Sequence, residues 1–226
     1  EQPEHVFLVG GLGVDNIKRL KLLGRNALEA DLGFKFGQKN LLITFHPETL
    51  ENVSAVIQMQ VLLDALANLE DTVLIFTMPN ADTDGRALIE MVNQFSSQHA
   101  NAYAFISLGQ LRYLSCIAQV DAVVGNSSSG LTEVPSLKKG TINIGNRQRG
   151  RLQAASIINC EPQQESIADA IRTLYSRKFQ ASLREVCNPY GDGGASEKIV
   201  NALKITNIQG IVKKSFYDLS KLTFEG

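Results

Sequence analysis

The 226-residue chain has no tryptophan, three cysteines, six prolines and three histidines, and its formal net charge is −1. Each scarcity removes a class of protein. With 22 Lys and Arg against 23 Asp and Glu, there is no cationic surplus to neutralise a nucleic-acid backbone or an anionic membrane surface. Neither is expected as a partner, and any phosphate should belong to one small ligand in one local site. No apolar run approaches the roughly 20 residues a membrane span needs. The opening EQPEHVF lacks the basic start and apolar core of a signal peptide, so a cytoplasmic location is expected. Cys116, Cys160 and Cys187 are odd in number and without CxxC spacing, which points to reduced thiols rather than disulfides. The Walker lysine pattern and GxGxxG are also missing, which argues against an ATPase or a dinucleotide enzyme. The acidic turn PNADTDGR (79–86) lacks calcium-loop spacing, and no metal or cofactor is expected.

What is present has the composition of a globular α/β protein, long enough for one large domain or a domain with an appendage. Short runs rich in Val, Ile and Phe recur at 40–46, 72–78, 102–107, 121–126, 141–145 and 156–160. They are continuous rather than alternating, as in strands covered on both faces. Helical spacing lies between them. Val53, Val56, Ile57, Val61 and Leu62 form one expected inward stripe. Leu88, Met91, Val92 and Phe95 form a second, and Ile167, Ala170, Ile171 and Leu174 a third. The rhythm predicts a doubly wound, mostly parallel Rossmann-like sheet. The ends differ. VFLVGG (6–11) reads as a strand-like stub without neighbouring partners, and GDGGASEKIV (191–200) as a glycine-rich turn leading into helix.

In open parallel sheets ligands bind at the carboxyl ends of strands, where loops enter helices. Five loops fall there: HPET (46–49), MPNADTDG (78–85), SLGQ (107–110), GNSSSG (125–130) and GNRQRGR (145–151). Ser127, Ser128 and Ser129 ahead of Gly130 offer hydroxyls and approachable amides for a diphosphate, and serve equally well as a helix N-cap. Arg147, Arg149 and Arg151 follow a strand, where one guanidinium can clamp a phosphate or all three can face solvent. His46 precedes Pro47, which holds it extended. It suits either a general acid–base or a structural hydrogen bond. Asn80 is the best contact in its polar turn, and Arg86 follows. Several weak loops on one sheet edge point to a small phosphorylated ligand, most simply a nucleotide.

VVGNSSSGLTEVPSLKKGTINIGNRQRGR, together with LLITFHPET, MPNADTDG and NPYGDGGASEKIV in that order, resembles the nucleotide-binding half of UDP-N-acetylglucosamine 2-epimerases. The likeness is to the hydrolysing type of sialic acid biosynthesis and runs from about residue 6 to residue 204. It implies a two-domain fold of the kind shared with UDP-glycosyltransferases. Residues 1–36 would be interdomain linker and N-terminal remnant, 37–204 the UDP-binding domain, and 205–226 a helical tail. It implies a missing N-terminal domain, a homo-oligomer at full length, and a UDP-sugar substrate turned over without a cofactor. By position, Ser127 and Ser128 would hold the diphosphate, Glu133 the ribose hydroxyls, and Arg147 the nucleotide. Asn80, Arg86, Ser107 and the backbone of Leu108 would complete the surroundings, with His46 beside the leaving diphosphate. Family members of the non-hydrolysing branch carry an Arg-rich segment after that His. Pro47-Glu48 stand here instead, which favours the hydrolysing type. The family's carboxylate bases lie in the N-terminal domain, so this chain alone is expected to be inactive. A glycosyltransferase donor domain and a non-catalytic nucleotide-sugar module are the competing readings.

Overall fold

Runs that are apolar at consecutive positions can be buried only in a sheet covered on both faces. In the computed structural model, residues 3–47, 54–79, 83–210 and 212–213 are described, the side chains of 83 and 84 excepted. Six strands form there: β1 (Lys39–Thr44), β2 (Thr72–Thr77), β3 (Ala102–Phe105), β4 (Ala122–Gly125), β5 (Gly140–Ile144) and β6 (Ile157–Cys160). All pairings are parallel and the order is β3-β2-β1-β4-β5-β6. That is the doubly wound Rossmann arrangement expected from the sequence.

Helices α1 (Leu12–Arg19) and α2 (Arg25–Leu32) precede β1, and α3 (Ala55–Leu66), α4 (Thr83–Gln98) and α5 (Gly109–Gln119) fill the next crossovers. The β4–β5 crossover is short, with α6 (Ser129–Thr132) running into a 3-10 turn at Val134–Leu137. Helices α7 (Gln164–Leu174), α8 (Arg177–Ser182) and α9 (Ala195–Ile205) follow β6.

Alternation along each strand divides the core in two. Leu41, Ile43, Leu74, Phe76, Val124, Ile142 and Ile144 face one way and pack with residues of α3, α4 and α7. Leu42, Ile75 and Val123 face the other, against Leu28 of α2, Leu114, Cys116 and Ile117 of α5, and Val134. Burying a side chain of this size contributes about 1.5–3 kcal/mol. Phe34 and Phe36, ahead of β1, belong to this second core.

Two expectations need correction. The α3 stripe is rotated: Val56 and Ile57 are exposed, while Ala55, Gln58, Met59, Leu62, Leu63 and Leu66 are buried. Val53 lies outside the described residues. The helix AVIQMQVLLDAL is apolar nearly all round, so its spacing alone does not select a face. The second and third stripes hold, with Leu88, Val92, Phe95, Ile167, Ala170, Ile171 and Leu174 buried. The VFLVGG stub is not a strand. Residues 6–11 are irregular, and Val6, Phe7 and Leu8 are exposed.

The N-terminal segment is fastened instead by Asp15. This buried carboxylate accepts from the backbone N–H of Ala195 (3.1 Å) and Ser196 (2.7 Å) and from Ser196 Oγ (2.6 Å), so it caps α9. Those hydrogen bonds, the Ser196 hydroxyl foremost, hold its pKa down at about 2.

Candidate functional site

The crossovers on either side of β1 and β4 leave in opposite directions, and the crevice between the ends of these strands is the switch point of the sheet. Two local features keep it narrow. Gly125, the last residue of β4, has φ +133°, and a Cβ there would stand 2.0 Å from the Thr44 carbonyl oxygen. A side chain cannot be fitted against main chain at that distance. Asn126 then ties the strand ends together. Its Oδ1 accepts from His46 N at 2.8 Å, its Nδ2 donates to His46 O at 2.9 Å, and its own N donates to Thr44 O at 3.2 Å. The amide side chain extends the β1–β4 pairing by one residue and fixes the backbone of half-buried His46.

The same Asn126 reaches the loop after β5. Its carbonyl accepts from Arg147 Nη1 at 3.0 Å and from Gln148 Nε2 at 2.7 Å. One N–H of the guanidinium is thus used to hold it at the crevice, and Arg147 is otherwise exposed, with further donors on its fork. Asn126 and Gln148 were not singled out from the sequence. Their local signal is GN before the serines and the Gln of GNRQ, both of which read as ordinary loop.

The three serines turn the chain into α6. The first helical bond is Gly130 N to Ser127 O at 3.2 Å, so the amides of Ser127, Ser128 and Ser129 precede the intrahelical ladder. Gly130 lets α6 lie against β5. A Cβ there would meet Thr141 Cγ2 at 2.7 Å, and Thr141 Oγ1 donates to Gly130 O at 2.7 Å. Ser128 makes no side-chain capping bond, so capping does not account for it. Glu133 ends α6 rather than beginning it. Its Oε2 accepts from Ser129 Oγ at 2.5 Å. Its Oε1 faces the first turn of α1, 3.0 Å from where a Cβ on Gly13 would sit.

The remaining candidates are more dispersed. Ser107 and Leu108 line a cavity of about 710 Å³ at the entry of α5, together with Leu23, Asp31 and Arg112. The Leu108 side chain itself is buried in the second core, and Ser107 Oγ accepts from Gly109 N at 3.2 Å. Arg86 is exposed on the first turns of α4, and Asn80 lies outside the described residues. Arg149 lines a different cavity of about 370 Å³ past β5 and β6, with Asn143, Asn159 and Glu161. All three cysteines are free thiols. Burial pushes the thiols of Cys116 and Cys160 up to about 12, which makes them poor nucleophiles. Among the described residues no group of His, Cys, Asp and Glu could hold a metal ion, and no helix is long and apolar enough to cross a membrane.

A parallel sheet in this order, with a serine–glycine turn, an acidic residue one turn on and an anchored arginine at its switch point, defines an α/β domain of the Rossmann class. Residues 1–204 match the family described as UDP-N-acetylglucosamine 2-epimerase, and the chain belongs to that family. It is 36% identical over 230 residues to the polysialic acid biosynthesis protein P7 of Escherichia coli, covering 99% of this chain and 57% of that protein. It is also 36% identical over 221 residues to a hydrolysing GDP/UDP-N,N'-diacetylbacillosamine 2-epimerase of Campylobacter jejuni, covering 97% of this chain and 57% of that protein. The chain therefore spans a little over half the length of these relatives. Among solved structures, S. aureus MnaA with UDP superposes with a TM-score of 0.69 at 19% identity, over 90% of this chain and 54% of that one. That likeness concerns the fold.

Proposed function

We propose that the chain is the UDP-binding half of a hydrolysing UDP-N-acetylglucosamine 2-epimerase of sialic acid-type sugar biosynthesis. Its substrate is UDP-N-acetylglucosamine or a related UDP-sugar, and its products are UDP and the free C2 epimer, N-acetylmannosamine in the first case. The observation that carries this reading is the single anchor at Asn126. It holds the backbone of His46, the start of the serine turn and the guanidinium of Arg147 at one crevice.

In the reaction class, the C2 proton passes to a carboxylate base and the C1–O bond to the diphosphate breaks, leaving a glycal and UDP. Water then adds across the double bond. The residues of this chain act on the leaving side. Ser127 and Ser128 donate to the diphosphate, Arg147 offsets its charge, and His46 donates to it as negative charge grows. Glu133 keeps its bond from Ser129 on Oε2 and accepts from the ribose hydroxyls with its remaining lone pairs. Arg86, Ser107 and the backbone of Leu108 border the nucleotide, and Asn80 is assigned to it from the sequence. Residues 37–204 form the nucleotide-binding domain, and 1–36 link it to an N-terminal domain that supplies the base and the other wall of the cleft. Residues 205–226 are assigned to a tail from the sequence, with 211 and 214–226 outside the described residues, and the complete enzyme is a cytoplasmic homo-oligomer. The hydrolysing outcome is supported by the naming of the C. jejuni relative and by Pro47-Glu48 after His46.

Product analysis tests the reading. Joined to its N-terminal domain, the protein should convert UDP-N-acetylglucosamine or its diacetamido counterpart into free 2-epimeric sugar and UDP. The 226-residue chain alone should bind UDP without turning the sugar over. Release of an epimer still linked to UDP would reject the hydrolysing assignment, and transfer of the sugar to an acceptor would indicate a glycosyltransferase.

A further inference from the structure

A polar group that the proposed chemistry does not use acts on Ser129 of the serine turn. Tyr113 is on α5, which packs against β1 and the Val134–Leu137 turn, and its ring joins the second core. Its hydroxyl is buried, and no atom stands in hydrogen-bond geometry to it. The hydroxyls of Ser129 and Thr44 and the negative charge of Glu133 all act on it. Burial first, and that charge as well, keep the phenol protonated. It is a donor without an acceptor. Thr44 Oγ1, paired with Thr77 Oγ1 at 2.5 Å, also keeps a lone pair, but its bonds run on into the sheet through Thr77 and the Ile43 carbonyl. Ser129 Oγ donates to Glu133 Oε2 and retains a lone pair. A buried hydroxyl without a partner is unfavourable, so a small shift that brings Tyr113 onto Ser129 is favoured.

We infer that Tyr113 is a positioning residue for Glu133, acting through Ser129. When a nucleotide engages Glu133, the Tyr113 hydroxyl donates to Ser129 Oγ. Ser129 in turn keeps its proton on Glu133 Oε2, and the carboxylate is held in one rotamer toward the ribose hydroxyls. The inference rests on the reading that Glu133 receives the ribose, and it makes preference for a ribonucleotide a property of three residues.

The test compares UDP with 2'-deoxy-UDP by calorimetric titration of wild type, Tyr113→Phe and Ser129→Ala. Wild type should prefer UDP by about tenfold or more, as expected for a hydrogen bond to a carboxylate. Tyr113→Phe should reduce the preference to within about threefold, mostly by weakening UDP. Ser129→Ala should do the same, and the double variant should add little. The melting temperature of unliganded Tyr113→Phe should stay level or rise, since a donor without a partner has been removed. A merely structural tyrosine would lower it and weaken both nucleotides alike. Undiminished preference in Tyr113→Phe would overturn the inference alone. A wild type that does not distinguish the two nucleotides would remove Glu133 from the ribose, and the inference with it.

Discussion

Strands β1 and β4 are joined at both ends by a side chain of the same shape, and the two ends are put to different use. At the amino end, Asp121 Oδ2 accepts from Asn40 N at 2.7 Å and from Tyr175 OH at 3.2 Å, while Asp121 N donates to Asn40 O at 2.9 Å. Asn40 closes on Gly37, and Asn101 donates to Leu69 and Thr72 carbonyls. Every one of these polar contacts ends inside the protein. At the carboxyl end, Asn126 makes the equivalent bridge to His46, but its carbonyl gathers Arg147 and Gln148. Arg147 is exposed, and the serine turn beside it precedes the helical ladder. The same β4-to-β1 clasp is closed at one end and carries reaching groups at the other. Polar residues at the amino ends of a parallel sheet serve stability here, and those at the carboxyl ends retain capacity for a ligand.

The largest effect that could break this contrast is at His46. Its substitution by Ala in the complete enzyme should lower turnover by about two to four powers of ten, the range for a positioned acid–base group. UDP affinity should fall far less, and the melting temperature little. Near-normal turnover with a destabilised fold would make His46 a structural residue, like those at the other end. Next is Glu133→Gln, which should weaken UDP by about 1.5–3 kcal/mol, while Arg149→Ala changes it within error. Equal affinities for both variants and wild type in calorimetric titration would take Glu133 out of the site.

At the amino end the signs reverse. Asp121→Ala strands two donors and should cost about 1–3 kcal/mol in denaturant unfolding, with UDP affinity intact. A loss of affinity without a loss of stability would erase the distinction between the ends. The smallest effect at neutral pH concerns Asp15. Its pKa of about 2 lies below the ordinary 3.8, so its contribution is fully present above pH 3.8 and is lost as pH falls through about 2. Protection factors for amide exchange at Ala195 and Ser196 should stay high at pH 4 and fall toward pH 2. Low protection at pH 4 would mean that the carboxylate does not cap α9.

The sheet was legible because continuous apolar runs permit little else, and the carboxyl-end loops followed from its parallel order. The face of α3 was not legible, because a helix that is apolar nearly all round leaves the choice to tertiary packing. Asn126 was missed for another reason. Its partner His46 lies 80 residues away in sequence, and nothing local marks an asparagine as the bridge between two strand ends. Tyr113 was hidden in the same way, since its spacing on α5 is that of a core residue and only the fold brings it within reach of Ser129 and the charge of Glu133.

Gly125 has a consequence in genetic terms. Every missense change of its codon adds a Cβ, and the atom it meets at 2.0 Å is main-chain carbonyl rather than a movable side chain. No rotamer or second-site change in a neighbouring side chain can make room. In a saturation library selected for function, that position should return glycine alone. Gly24, with negative φ and nothing within 4 Å of an added Cβ, should accept many residues. A population carrying random changes in this gene would therefore show silent codons at 125 and freely varied ones at 24.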